Sequence, residues 1–597
     1  MKPETKTCQN CKQKFVIESE DFNFYEKIQV PPPTFCPECR MIRRMTWRNE
    51  RTLYKRNCDL CGKNFFSVYK TKEPFPVYCH ECWYSDKWDP LDYGFSYNFE
   101  KPFFSQFAEL WQKVPHSGIL HYPPNVNVDY SNYTAKSKNV YLSYSTINQS
   151  EDVYYSYSID ESRNIYDSFN IQSAEMIYEN IDCDHNNKTL FFLKSRECLD
   201  SSFLFNCSNC QSCFMSSNLR GQKHVFRNKQ FSKEEYENKV KSINLGSFNE
   251  IQKLKEEFKN LIQSSLHKYS NIIKSVNCTG DNIRSSKNCK MVFNTYNTED
   301  SKYSLRILNS RDCYDILGAA QVELMCEYLA GGYSSYKSVF SMFANNTRES
   351  FYTDFCHDSG HMFGSIGVRK KEYCILNKQY TKEQYEELVP KIIQHMNDMP
   401  YVDSKGRIYK YGEFFPTELS PFAYNETVAQ EYFPLTKEQA LEQGYKWKDK
   451  EARNYKIEIK TENLPDNIKD VNEDIINKVI ECAHYAQNEH PANCEASCTE
   501  AFKIISDELQ FYRRMNLPLP RLCPNCRHYQ RLKQRNPLKL WHRQCQCAGG
   551  KSDNGIYANT ISHLHGVDHC PIEFETSYSP DRPEIVYCEK CYQQEVY

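Results

Sequence analysis

The sequence predicts a multidomain, mainly β chain with some α. Its centre reads as a duplicated, β-helix-like β-solenoid, flanked by two homologous modules built on cysteine pairs. Three observations carry this. Near the start Cys8 and Cys11 precede Cys36 and Cys39; near the end Cys494 and Cys498 precede Cys523 and Cys526, with the same gap between pairs. Around the pairs, residues recur in register: Phe15 with Phe502, Tyr25 with Tyr512, Pro33 with Pro520, Arg40 with Arg527, Arg48-Asn49 with Arg535-Asn536, and Cys58 with Cys545. In the middle, Asn228–Tyr236 returns 149 residues later as Asn377–Tyr385, and Ser162–Asp167 returns as Ser310–Asp315. Repeats of this length describe an architecture and are read before single motifs.

The bulk numbers fit. The chain has 597 residues, and one core rarely grows past about 250–300 residues, so several domains are expected. Net charge is -2, and 25% of residues are charged, which sets aside a disordered tail. No run of about 18 apolar residues is present, so no membrane partner is expected. The opening MKPETKTCQNC has no apolar signal core, and the expected location is cytoplasmic. In a reducing compartment the 29 cysteines read as metal ligands rather than disulfides. Abundant Tyr (44) and Phe (35) with scarce Gly (19) favour stacked β-structure over a glycine-rich nucleotide fold.

In chain order, residues 1–90 form a double zinc module. Its sets are Cys8, Cys11, Cys36, Cys39 and Cys58, Cys61, Cys79, Cys82. Two short cysteine knuckles supply four tetrahedral thiolates, the pattern of a zinc ribbon. Segments this small bury too little apolar surface to fold unaided, and structural zinc contributes about 10–16 kcal/mol. Residues 91–124 read as a linker with a short helix. Residues 125–270 and 271–400 are the two solenoid units, each with terminal helices. Val140, Val153, Ile165, Ile177, Leu190, Cys213 and Val225 recur at intervals of about 12 residues or twice that; Cys289, Cys313, Met325, Met362 and Cys374 do much the same. Short alternating strands are expected there, with Val140, Leu142 and Tyr144 facing one way. A coil of about 12 residues or a half-turn of about 24 fits; the rival is an antiparallel meander. Ser232 with Glu235, Thr381 with Gln384, and Thr436 with Gln439 have capping-box spacing, and Phe248–Lys268 reads as a longer amphipathic helix. Residues 401–480 are a mixed connector.

Residues 481–597 repeat the double zinc module with departures. The third set is Cys494, Cys498, Cys523, Cys526, with Cys482 and His484 nearby as substitutes. The fourth is Cys545, Cys547, Cys588, Cys591; an inserted loop carries His563, His565, His569 and Cys570 as a further candidate metal set. Four structural zinc ions are therefore expected as the cofactors. Thiolate-saturated sites leave no open position for substrate.

The first set, with Cys8-Gln-Asn-Cys11, Phe15, Phe24-Tyr25, Pro31-Pro32-Pro33 and Cys36-Pro-Glu-Cys39-Arg40, resembles the treble-clef "probable zinc-binding domain" family, as does its C-terminal copy. The resemblance implies one knuckle on a hairpin and a second opening a helix. Over its full length the chain resembles bacterial cysteine-rich proteins often labelled CaiB/BaiF CoA-transferases. That label implies an aspartate nucleophile in a CoA-binding α/β fold, and its pattern is missing here.

Catalytic signatures are likewise missing: no phosphate loop, no G-x-G-x-x-G, no H-E-x-x-H and no G-x-S-x-G. Asp182, Asp184 and His185 fall on one predicted solenoid turn, and a solenoid groove can host a polysaccharide lyase or hydrolase site, so a carbohydrate-active or CoA-transferase-labelled enzyme using the centre is kept as an alternative. Cys207, Cys210 and Cys213 read as a packed ladder, because the second unit has Cys356, Ser359 and Met362 there; His357, Asp358 and His361 read as a solvated turn. Arginines crowd both modules, among them Arg43, Arg44, Arg48, Arg527, Arg531 and Arg535, which suits phosphate contact. The leading expectation is a non-enzymatic zinc scaffold that binds RNA, DNA or the ribosome through these cations. The alternative is a protein-interaction scaffold working through the solenoid face.

Overall fold

The computed structural model describes residues 2–450, 455–487 and 496–597. Its centre consists of two parallel β-helices. In the first, strands from Val126–Asp129 to Lys223–Phe226 stack side by side in one parallel sheet, and a six-stranded sheet runs from His121–Tyr122 to Ile181–Asp184. The second is a ten-stranded stack from Ile272–Ile273 to Lys378–Gln379. Parallel pairing rules out the meander.

One coil is 12 residues: Val128 faces Val140, Val153 faces Ile165, and Ile165 faces Ile177. The step from Val140 to Val153 is one residue longer, with Asn148 and Gln149 consecutively at positive φ between them. The half-turn of 24 residues is thereby excluded. The facing pattern also differs from the expected alternation. Val140, Ser143 and Thr146 are buried, whereas Leu142 lies at φ 45° and is only partly covered. Every third residue points inward because every third residue turns a corner in left-handed backbone, as at Asn164, Asp167, Asn170 and Ser173. That conformation costs most L-residues about 1–2 kcal/mol, and Asn and Asp bear it best. The composition follows: corner Asn170 donates to Asp182 at 2.7 Å, Asn282 to Asn294 at 2.9 Å, and Asn346 to Asp358 at 2.8 Å on the adjoining coil. The same geometry corrects Leu190, which sits beside Tyr178 and Ser202 while Thr189 takes the inward place.

Inside, the coil is narrow and partly polar. Ser143 Oγ accepts from the Ser156 amide at 3.0 Å, Ser156 Oγ from Ser168 at 3.0 Å, and Ser168 Oγ from Asn180 at 3.2 Å, so buried backbone donors are satisfied along the axis. Cys207, Cys210 and Cys213 are inward residues of one coil, each at most 2% exposed, packed with Cys198, Leu204 and Val225. A thiol suits this place, being small, polarisable and a weak donor; Cys207 donates to Phe205 O and Cys213 to Gln211 O. Cys356, Ser359 and Met362 are buried in the second β-helix, as are Cys289, Cys313, Met325 and Cys374.

Helices follow each stack. Lys233–Lys241 and Lys382–Asp398 open with the expected capping boxes at Ser232/Glu235 and Thr381/Gln384, and Lys437–Glu442 with that at Thr436/Gln439. The longer helix is Phe248–Ser264; it stops short of the expected end because Leu266–Lys268 becomes a strand paired with Ile585–Tyr587. Among the described residues, no helix is long and apolar enough to cross a membrane.

The chain forms two compact units, neither contiguous. One contains residues 1–120, 270–448 and 538–540; the other contains 121–269, 449–537 and 541–597. The N-terminal module therefore shares a unit with the second β-helix, and the C-terminal module with the first.

Candidate metal centres and the arginine network

Each cysteine set is made from a hairpin turn and a helix start. Cys8 and Cys11 lie in the turn between Glu4–Thr7 and Lys14–Ile17; Cys36 caps the helix Pro37–Met45, which carries Cys39. Cys58 and Cys61 lie between Tyr54–Asn57 and Asn64–Ser67, where Gly62 at φ 75° closes the turn, and Cys79 caps His80–Trp83. The amide of each capping cysteine donates to the first hairpin sulfur: Cys36 N to Cys8 Sγ at 3.3 Å and Cys79 N to Cys58 Sγ at 3.2 Å. Helix N-termini favour thiolate over thiol.

The C-terminal copies repeat this device with altered ligands. Cys494 lies outside the described residues. Among the described residues, Cys482, following the strand Ile480–Glu481, joins Cys498, Cys523 and Cys526, and the Cys523 amide donates to Cys482 Sγ at 3.2 Å. In the fourth set Cys570 stands where Cys547 was expected, beside Cys545, Cys588 and Cys591. The Cys588 amide donates to Cys545 Sγ at 3.2 Å. Cys547 turns to a different group, with His563, His565 and Cys591. His569 joins neither; its Nε2 meets Asp553 Oδ1 at 2.7 Å. The departures arise from chain insertions that reroute the hairpin while the helix-capping knuckle stays put.

Sulfur–sulfur separations are 3.7 Å for Cys11–Cys36, 3.8 Å for Cys61–Cys79, 3.8 Å for Cys498–Cys523 and 3.6 Å for Cys570–Cys591. A tetrahedron with metal–sulfur bonds of about 2.3 Å has edges of about 3.8 Å. The four Cys₄ clusters therefore match the size of a tetrahedrally bound metal ion. Hydrogen bonds from Cys36 and Cys39 hold the Cys8 thiol far below its ordinary value, and contact with Cys36 and Cys8 drives Cys39 far above. Four adjacent sulfurs ionise together only around a cation.

The arginines expected to meet phosphate do something else. Arg43, Arg44, Arg48, Arg527, Arg531 and Arg535 are all buried, none more than 8% exposed. In the first unit, Arg40 and Arg44 clasp Asp315 at 2.8 and 3.1 Å, while Arg43 spans Glu327 at 2.7 Å and Glu413 at 2.8 Å. Arg48 pairs with Glu50. In the second unit, Arg527 and Arg531 clasp Asp167, the latter at 2.8 Å, and Arg535 meets Asp182 at 3.1 Å. Aromatic rings repeat the match: Phe24 stacks on Tyr314 at 3.9 Å, and Phe511 on Tyr166 at 3.6 Å. Each module thus presents the same two arginines and one ring to the same Tyr-Asp corner of a β-helix. Burial would lower Arg43, but Glu327 and Glu413 outweigh it and hold the guanidinium charged. Five of these side chains dock a module on its β-helix, and Arg48 is paired within its own module; their burial corrects their reading as nucleic-acid contacts. The sequence carried a usable signal, since Asp167 and Asp315 repeat along with the arginines.

The remaining candidates disperse. Asp182 is committed to Arg535, whereas Asp184 pairs with exposed His185 at 3.0 Å. His361 stacks on Tyr373 at 4.9 Å, and Asp358 accepts from Asn346.

The chain matches no known family model and no curated protein. Among solved structures it is similar to one described as a putative acetyltransferase from Desulfovibrio desulfuricans G20, at 10% identity and a TM-score of 0.10, over 49% of this chain and 77% of that one.

Proposed function

We propose that this protein is a non-enzymatic, zinc-stapled scaffold whose solvent-facing β-helix surface receives a protein partner. The observation that carries the reading is the twofold docking of module on β-helix through buried Arg–Asp clasps. It commits Arg40, Arg43, Arg44, Arg527, Arg531 and Arg535 to internal ion pairs. Zinc is the ion that all-thiolate tetrahedral sites favour. Ions closed by four sulfurs act as staples. Free thiols throughout the described residues suit a cytoplasmic, reducing setting.

The recognition surface is the polar side of the first β-helix. It bears an open groove of about 570 Å³ lined by Asn148, Gln149, Glu161, Arg163, Glu175 and His185 among others. Mixed charge and amide groups of this kind suit a polar protein surface more than a phosphate backbone.

Filter binding of bulk RNA and DNA at 50 and 200 mM salt tests this, together with cross-linking of the complex in cells. The expected result is no salt-sensitive retention of nucleic acid, with cross-links on residues 148–187. Retention that falls steeply with salt would overturn the reading in favour of a nucleic-acid scaffold.

A further inference from the structure

The fourth cluster and the mixed cluster share a ligand. Cys591 belongs to Cys545, Cys570, Cys588, Cys591 and also to Cys547, His563, His565, Cys591. Its sulfur lies 3.6 Å from Cys570 Sγ on one side and 3.3 Å from His565 Nε2 on the other. Cys547 Sγ lies 3.1 Å from His563 Nδ1.

The second nitrogen of each histidine is anchored. His565 Nδ1 lies 2.7 Å from the carbonyl of Asp568, which can only accept; the proton is therefore on Nδ1, and the Nε2 lone pair faces Cys591. His563 Nε2 lies 2.7 Å from Glu595 Oε1, and both side chains are fully buried. Glu595 also accepts from the Thr560 amide at 2.9 Å and from Tyr557 Oη at 3.0 Å, so its carboxyl is fixed as the acceptor facing His563 Nε2. The His563 Nδ1 lone pair then faces Cys547. Two nitrogen lone pairs and two sulfurs thus converge within 4.8 Å of one another, a two-histidine, two-thiolate donor set of the kind that holds a tetrahedral cation. Outer carboxylates and carbonyls that fix histidine tautomers are a regular feature of metal sites. Asn559 Nδ2 donates to Cys547 Sγ at 3.2 Å, a bond that a thiolate strengthens.

We propose that the C-terminal module holds a binuclear zinc centre in which the Cys591 thiolate bridges two ions. One ion takes Cys545, Cys570, Cys588 and Cys591; the other takes Cys547, His563, His565 and the shared Cys591. Charge favours the pair. One dication on four thiolates leaves two net negative charges buried, whereas two dications on five thiolates leave one. The inference rests on the zinc reading above and adds a fifth ion.

Elemental analysis with native mass spectrometry of the full chain tests it. Five zinc ions per chain are expected, against four in the His563→Ala/His565→Ala double variant. Four ions in the wild type would overturn the bridged centre and leave the zinc staples standing; a count well below four would overturn the staples themselves. Should the double variant fold poorly, the cobalt-loaded wild type gives a second readout. A thiolate bridge couples the two spins, so integrated paramagnetic signal is expected below that of five independent ions. Additive signal from five ions would overturn the bridge.

Discussion

Single residues here are chosen by backbone conformation as much as by side-chain chemistry. A corner every third residue asks for left-handed backbone, and Asn, Asp and Ser accumulate there because they tolerate it and hydrogen-bond to the adjoining coil. One buried acid stands apart. Asp354 is 0% exposed, and neither of its oxygens has a hydrogen-bond partner among the described residues. Burial alone raises its pKa well above the ordinary carboxyl value. Burial therefore favours the neutral carboxyl in the folded chain, while the unfolded chain ionises it near about 3.9. Stability tied to this group is complete below about pH 3.9 and is lost as pH rises toward the folded value. Asp354→Asn is expected to be more stable than wild type at pH 7, with the gap shrinking at pH 4.5. Urea denaturation at both pH values measures this; an equal gap at both would refute the account.

At the scale of elements, the interface between a knuckle helix and a β-helix corner occurs twice with the same chemistry. Helix Pro37–Met45 packs on strand Lys302–Ala320, and helix Pro524–Lys533 sets Arg527 and Arg531 on the Asp167 corner. Two arginines sharing one buried carboxylate leave an uncompensated charge if that carboxylate goes. Asp167→Asn and Asp315→Asn are each expected to cost about 3–5 kcal/mol in the unit concerned. Thermal melts followed by calorimetry check this, and losses below about 1 kcal/mol would mean that the clasps are replaceable by water.

At the scale of the whole molecule, each module braces the β-helix of its own unit. Cys36→Ser with Cys39→Ser dismantles half of one Cys₄ set. Hydrogen exchange is then expected to quicken about tenfold or more in Lys302–Ala320 and Glu323–Leu329. Arg163–Tyr166 and Glu175–Tyr178, in the other unit, are expected to keep their rates. Loss of protection throughout both units would show that the chain folds as one cooperative body.

Much of this was legible in the sequence because it depends on local order. Cysteine spacing, the capping boxes and the 12-residue rhythm each follow from residues close together in the chain. Zinc-type knuckles, short parallel coils and helix starts were therefore open to reading. The threefold facing of the coil was missed because alternation is the default for strands, and only the run of left-handed corners replaces two by three. Cys482 was open to reading only as a substitute, and Cys570 was read outside the fourth set, because chain insertions separate ligands in sequence while the fold returns them to one point. The arginines were the largest misreading. A run of cations looks the same in sequence whether it faces water or carboxylates from a distant segment. Only tertiary structure brings Asp167 to Arg527 and Asp315 to Arg40, since burial of charge is decided by partners hundreds of residues away.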